Sequence, residues 1–151
     1  MTTEDFTNQF ELVVPGNPHS LALIRAFVRE IAENAGFDDN ETSQIEVAVD
    51  EACSNVVEHA YAEFEQKPDL VVHVFLQADS FVVQILDEGT SFDIESYEAP
   101  TFPAHWEEGH VRGIGVYLMH EYMDTVDFGK SPDKRNQLRM VKKRHSSDAQ
   151  I

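Results

Sequence analysis

Glu51, Asn55 and His59 stand four residues apart in the stretch EACSNVVEHAY, and each is a residue type that can handle a proton or a metal. On a helix turning about 100° per residue, Glu51 and Asn55 lie about 40° apart, off one edge of an apolar stripe. A carboxylate held by a folded site can take a proton from an attacking hydroxyl. An amide oxygen one turn away is a hard donor that suits Mg²⁺, an ion that takes oxygen ligands and keeps several waters. A Glu/Asn pair at this spacing equally suits a solvated helix face. His59 falls nearer the stripe and is expected to pack there, partly buried, while Asp50 and Glu58 are expected to point to solvent.

Two glycine-bearing stretches follow. In DEG, Asp87 leaves a β-rich run, where it can accept a hydrogen bond from an exocyclic amine such as adenine's. Gly89, without a side chain, lets a ring approach; a plain β-turn would use the same residues. In GHVRGIG, Gly113 and Gly115 open a helix, where free N–H groups and the positive end of the dipole suit a phosphate. The bland alternative is a helix-start turn. Arg112, directly before Gly113, can add a positive charge to the same phosphates or stand as an exposed loop arginine. No Gly-Lys-Ser/Thr follows, so this is not a Walker loop. Cys53 lies mid-helix with no oxyanion turn and reads as a small core thiol. The histidines show no zinc spacing.

The elements that position these residues follow from periodicity. FELVV, residues 10–14, reads as a strand stopped by PGNP. Asn17 is placed to cap a helix starting at Pro18, with Leu21, Ile24, Val28, Ile31 and Ala35 at helical spacing and Gly36 ending it. A second helix is expected over 39–64, with Ile45, Ala48, Val49, Ala52, Val56 and Ala60 buried. DLVVHVFLQ and SFVVQILDEG read as a hairpin, with Phe81, Val83, Ile85 and Asp87 on one face. Residues 88–110 have no clear period and include Pro100 and Pro103, so a long loop is expected. GIGVYLMHEYM then reads as a helix, and DTVDFG and NQLRMVKKR as strands. The tail 145–151 is expected to fray. This order favours an α+β, two-layer sandwich with a mostly antiparallel mixed sheet and helices on one face.

The chain of 151 residues suits one domain over 1–151, and its 42% hydrophobic and 26% charged residues are a globular balance. With 28 acidic against 11 basic side chains the net charge is −17, which argues against a binder of nucleic-acid phosphates; it would steer basic partners towards the protein or simply make a well-solvated acidic surface. A single cysteine permits no internal disulfide. No run approaches the ~20 apolar residues of a membrane span, and the acidic start is unlike a signal peptide. A soluble cytoplasmic protein is expected.

Together and in order, EACSN, DEGTSFD and GHVRGIGVYLM resemble the N box and two glycine boxes of the GHKL ATPase superfamily. Within it, VDEACSNVVEHAY, DEGTSFDIE and GIGVYLMHEYMDTVDF are similar to the anti-sigma-factor serine kinases of the RsbW and SpoIIAB type, over roughly residues 8–143. The resemblance implies a Bergerat-type sandwich holding ATP under a lid formed by the long loop. It implies Glu51 as general base, Asn55 as Mg²⁺ ligand, Asp87 as the acid reading the adenine amine and Gly89 as the glycine beneath the ring. Gly113 and Gly115 match the glycines of the phosphate-side helix, with Arg112 beside them. The last strand departs from the family in lacking small residues and threonine. The implied partners are a sigma factor and a STAS-domain anti-anti-sigma factor carrying the substrate serine, with a possible homodimer. An alternative from another class is a non-catalytic protein that acts by sequestering its partner.

Overall fold

A computed structural model describes residues 8–89 and 111–145. The described chain runs β1 (Asn8–Pro15), α1 (Ser20–Asn34), α2 (Asp39–Asn55), a π-helical turn (Val56–Ala60), β2 (Asp69–Leu76), β3 (Ser80–Asp87), α3 (Val111–Tyr122), β4 (Thr125–Lys130) and β5 (Asn136–Lys143). The expected long loop and lid (88–110) and frayed tail (145–151) lie outside the described residues except for Glu88, Gly89 and His145, the last of which pairs with Glu41 at 2.8 Å.

One five-stranded sheet has the order β1-β2-β3-β5-β4. All four pairings are antiparallel, which corrects the expected mixed sheet. The chain passes from β3 through α3 to β4 at the edge, and β5 then inserts between them. β3 and β4 therefore run the same way without pairing. Alternation along the strands puts Val72, Val74, Phe81, Val83, Ile85 and Met140 into one buried face. The helices cover that face, with α2 packed between α1 and α3. The architecture is a two-layer α+β sandwich.

Each helix end has a local cause. The Asp38 carboxylate accepts from the Glu41 N–H at 2.8 Å and starts α2. Gly36, at φ 98°, takes the left-handed conformation after α1. Asn17 does not cap α1 as expected. Its side chain accepts from the His19 N–H at 3.1 Å, while Ser20 and Leu21 bond back to Asn17 and Pro18 in a tight turn, so the helix begins two residues late.

The second helix differs more. Its six expected core residues are all buried, with Cys53 beside them. After Asn55, however, the spacing widens, and the Tyr61 N–H reaches back five residues to the Val56 carbonyl at 2.8 Å. The wider turn shifts the phase, so that Val56, Val57, Ala60 and Tyr61 face inward while Glu58 and His59 face out. His59 is exposed, not the partly buried packing residue that a regular helix would make it. Asp50 is also not simply solvated. It pairs with Arg25 at 2.9 Å, and Glu46 pairs with Arg29 at 2.7 Å, tying α2 to α1.

Candidate nucleotide site

Two groups of residues make up the candidate site. The first belongs to α2 and α3. Glu51 and Asn55 are both half-buried on α2. Gly115 is buried on α3, and a Cβ built there would lie 2.7 Å from the Glu51 Oε2. The missing side chain is therefore what lets the carboxylate rest against α3. Burial pushes the Glu51 carboxyl above its usual range, and the neighbouring charges of Asp50 and Glu58 push the same way. A carboxylate with raised proton affinity, partly shielded from water, is equipped to accept a proton.

α3 begins at Val111, two residues before the expected start. Arg112 and Gly113 therefore lie in its first turn, where backbone N–H groups have no helical acceptor. Gly115 lies one turn further in, and its visible role is the contact with Glu51. The Arg112 side chain lies outside the described part of the molecule.

The second group closes the ends of β3 and β5. Asp87 is 8% exposed and shares the core face with Phe81, Val83 and Ile85, as period-two alternation predicts. Its Oδ1 accepts from the Gly89 N–H at 2.9 Å and from the Asn136 Nδ2 at 2.9 Å. Among the described residues no donor reaches Oδ2. The turn and ligand readings of DEG are thus compatible, because one oxygen shapes the loop and the other remains available to an amine. At Gly89 a Cβ would lie 2.7 Å from the Ala60 Cβ and 2.8 Å from the Ala60 carbonyl oxygen. Only glycine lets this loop pass so close to the π turn.

Tyr61 and Asn136 did not emerge from sequence reasoning. The Tyr61 hydroxyl, on a fully buried ring, accepts from the Glu88 N–H at 3.0 Å and donates to the Asp69 carbonyl at 2.9 Å. Burial drives its pKa up to about 12, so it stays a neutral donor. Asn136 lies opposite Asp87 in the β3–β5 register. No local motif marks either residue; cross-strand register is the signal that would find Asn136. Cys53 behaves as expected. It is fully buried, and burial raises its thiol pKa well above the ordinary value.

Among the described residues no cluster of three or more His, Cys, Asp or Glu is arranged around a cation. Asn55 offers a single oxygen, a donor set that fits Mg²⁺ arriving with phosphates, since that ion is commonly held by few protein ligands.

Residues 14–142 match the model of the histidine kinase-like ATPase domain. The chain belongs to that family, on its RsbW branch. It is 32% identical to the serine-protein kinase RsbW of Bacillus subtilis over 120 residues, covering 77% of this chain and 74% of the relative. It is 30% identical to the serine-protein kinase RsbW of Listeria monocytogenes, covering 79% of this chain and 78% of the relative. The solved structure of the RsbU and RsbW domains of a Mycobacterium tuberculosis protein superposes with a TM-score of 0.64 at 18% identity. That match covers 90% of this chain and 32% of the larger one, and it supports the fold. Among the described residues no helix is long and apolar enough to cross a membrane.

Proposed function

We propose that the protein is an ATP-dependent serine kinase and anti-sigma factor that works by partner switching. The observation that supports this reading is the contact of the half-buried Glu51 carboxylate with Gly115 of α3. A sequestering protein has no use for a carboxylate held in that way. Asp87 Oδ2 accepts from the adenine amine, and Gly89 leaves room for the ring. The first turn of α3, with Gly113 and Arg112, faces the phosphates. Asn55 supplies an oxygen to Mg²⁺, which when bound neutralises charge on the phosphates.

Glu51 accepts the proton of the incoming serine hydroxyl as its oxygen attacks the γ-phosphorus and the bond to ADP breaks. The chain contributes mainly position and electrostatics, as in phosphoryl transfer generally. The serine belongs to a STAS-domain anti-anti-sigma factor. Phosphorylation of that partner weakens its hold, and the freed kinase surface captures a sigma factor in the cytoplasm.

The test is to incubate the protein with labelled ATP, Mg²⁺ and a STAS-domain protein encoded beside it, then map phosphoserine. Wild type should transfer label, and Glu51→Ala should bind ADP with little change yet transfer at least ~100-fold more slowly. An Ala variant as active as wild type would remove Glu51 as the base. No transfer by wild type, with the partner still bound, would favour sequestration without catalysis.

A further inference from the structure

Three facing strands present one polar row at the same level of the sheet. Asp87 on β3 pairs in register with Asn136 on β5, which pairs with Lys130 on β4. The hydrogen bonds follow the row. Lys130 Nζ donates to the Asn136 Oδ1 at 2.7 Å, and the Asn136 Nδ2 donates to the Asp87 Oδ1 at 2.9 Å and to the Gly89 carbonyl at 2.8 Å. Lysine can only donate, so the oxygen of the Asn136 amide must face it. That choice turns the NH₂ towards two groups that can only accept. The orientation of Asn136 is therefore determined from both sides.

We propose that Asn136 is the positioning residue that sets base specificity in this pocket. Its two N–H bonds are both spent on the protein, one on Asp87 and one on Gly89, so it offers no donor to a ligand. By holding Oδ1 it also fixes the plane of the Asp87 carboxylate and leaves Oδ2 as an acceptor. The wall then accepts an exocyclic amine and repels a ring carbonyl at the same place. Asn136 acts through Asp87 and Gly89 without touching the base, and Lys130 acts one step further back.

The inference rests on the nucleotide reading of the pocket. Its test measures the affinities of ADP and IDP, which differ in an amino group against a carbonyl, by calorimetric titration. Thermal midpoints are recorded alongside. Asn136→Ala should weaken ADP about tenfold through the two lost hydrogen bonds while weakening IDP less, so that the preference for ADP shrinks. Asn136→Asp keeps the shape, removes both donors and sets a second carboxylate against Asp87; it should weaken ADP further than Ala does. A role in packing alone would leave the Asp variant close to wild type, while the Ala variant would lower both nucleotides by the same factor. An unchanged ADP-to-IDP ratio in both variants, with wild type binding ADP and Asp87→Asn losing it, overturns the role of Asn136 and spares the pocket. If wild type binds no ADP, the nucleotide reading itself falls, and this inference with it.

Discussion

Glu51 owes its chemistry to its surroundings more than to its type. Solvent is partly excluded from it, two carboxylates stand near it, and each effect disfavours its charged form. Such a group makes the fold pH-dependent in a direction that can be worked out. The folded-state pKa is raised, so the unfolded chain gives up this proton at lower pH than the folded one. Ionised Glu51 therefore opposes folding at neutral pH. The penalty fades as pH falls through the raised pKa, and it is gone below the ordinary carboxylate range near ~4, where both states are protonated. Glu51→Gln, neutral throughout, should consequently melt higher than wild type at pH 7–8, and the two curves should converge towards pH 4. An advantage that stays constant across that range would show that burial of charge at Glu51 is not its source. The same raised affinity would suit a base that captures a proton during reaction, the role proposed for Glu51.

At the scale of elements, helix phase decides which side chains meet. The apolar stripe of α2 was legible because Ile45 to Ala52 recur at a regular helical period. Val56 and Ala60 continue it, but the π turn that starts at Val56, which no residue type announces, misplaced His59. That turn exposes His59, buries Tyr61 and brings Ala60 against Gly89. Glu51, Asn55, Asp87 and Gly89 could be singled out because each belongs to a local pattern. Asn136 and Lys130 could not, since their meeting with Asp87 depends on pairing between strands separated by about fifty residues of chain. Gly115 was found for a different reason from the one the structure gives it. It sits beyond the first turn of α3, and its contact is with Glu51. Gly115→Ala tests that contact. The three nearest atoms across the interface all belong to the Glu51 side chain, so the added methyl displaces the end of a flexible carboxylate and the fold should survive. Transfer to the serine partner should fall roughly 10- to 100-fold, as expected when a reacting group shifts by about 1 Å. ADP affinity should change by a smaller factor. Equal losses in binding and transfer would point to α3 itself moving.

For the whole molecule, the site joins parts that the chain connects only at a distance. Asp87 and Asn136 belong to the sheet, Glu51 and Asn55 to the central helix, and Gly113 and Gly115 to the helix that crosses from β3 to β4. Asn136 ties Asp87 and Gly89 together by polar bonds, whereas the helices and the sheet are joined by an apolar core. A nucleotide bound at the proposed site would add contacts to sheet and helices at once, and it would bind only the folded chain. Mass action then stabilises the fold by about 2.7 kcal/mol at a ligand concentration 100 times Kd. For a chain of this size that corresponds to a rise in melting temperature of roughly 5–10 °C. ADP with Mg²⁺ should produce this shift in wild type. Asp87→Asn, which presents an amide where the adenine amine needs an acceptor, should need much more ADP to reach it. Glu51→Gln, whose change lies away from the base, should shift by nearly as much as wild type from its own higher starting point. A shift equal in all three proteins would mean that the nucleotide binds elsewhere, and no shift in any would mean that the sheet end does not take it.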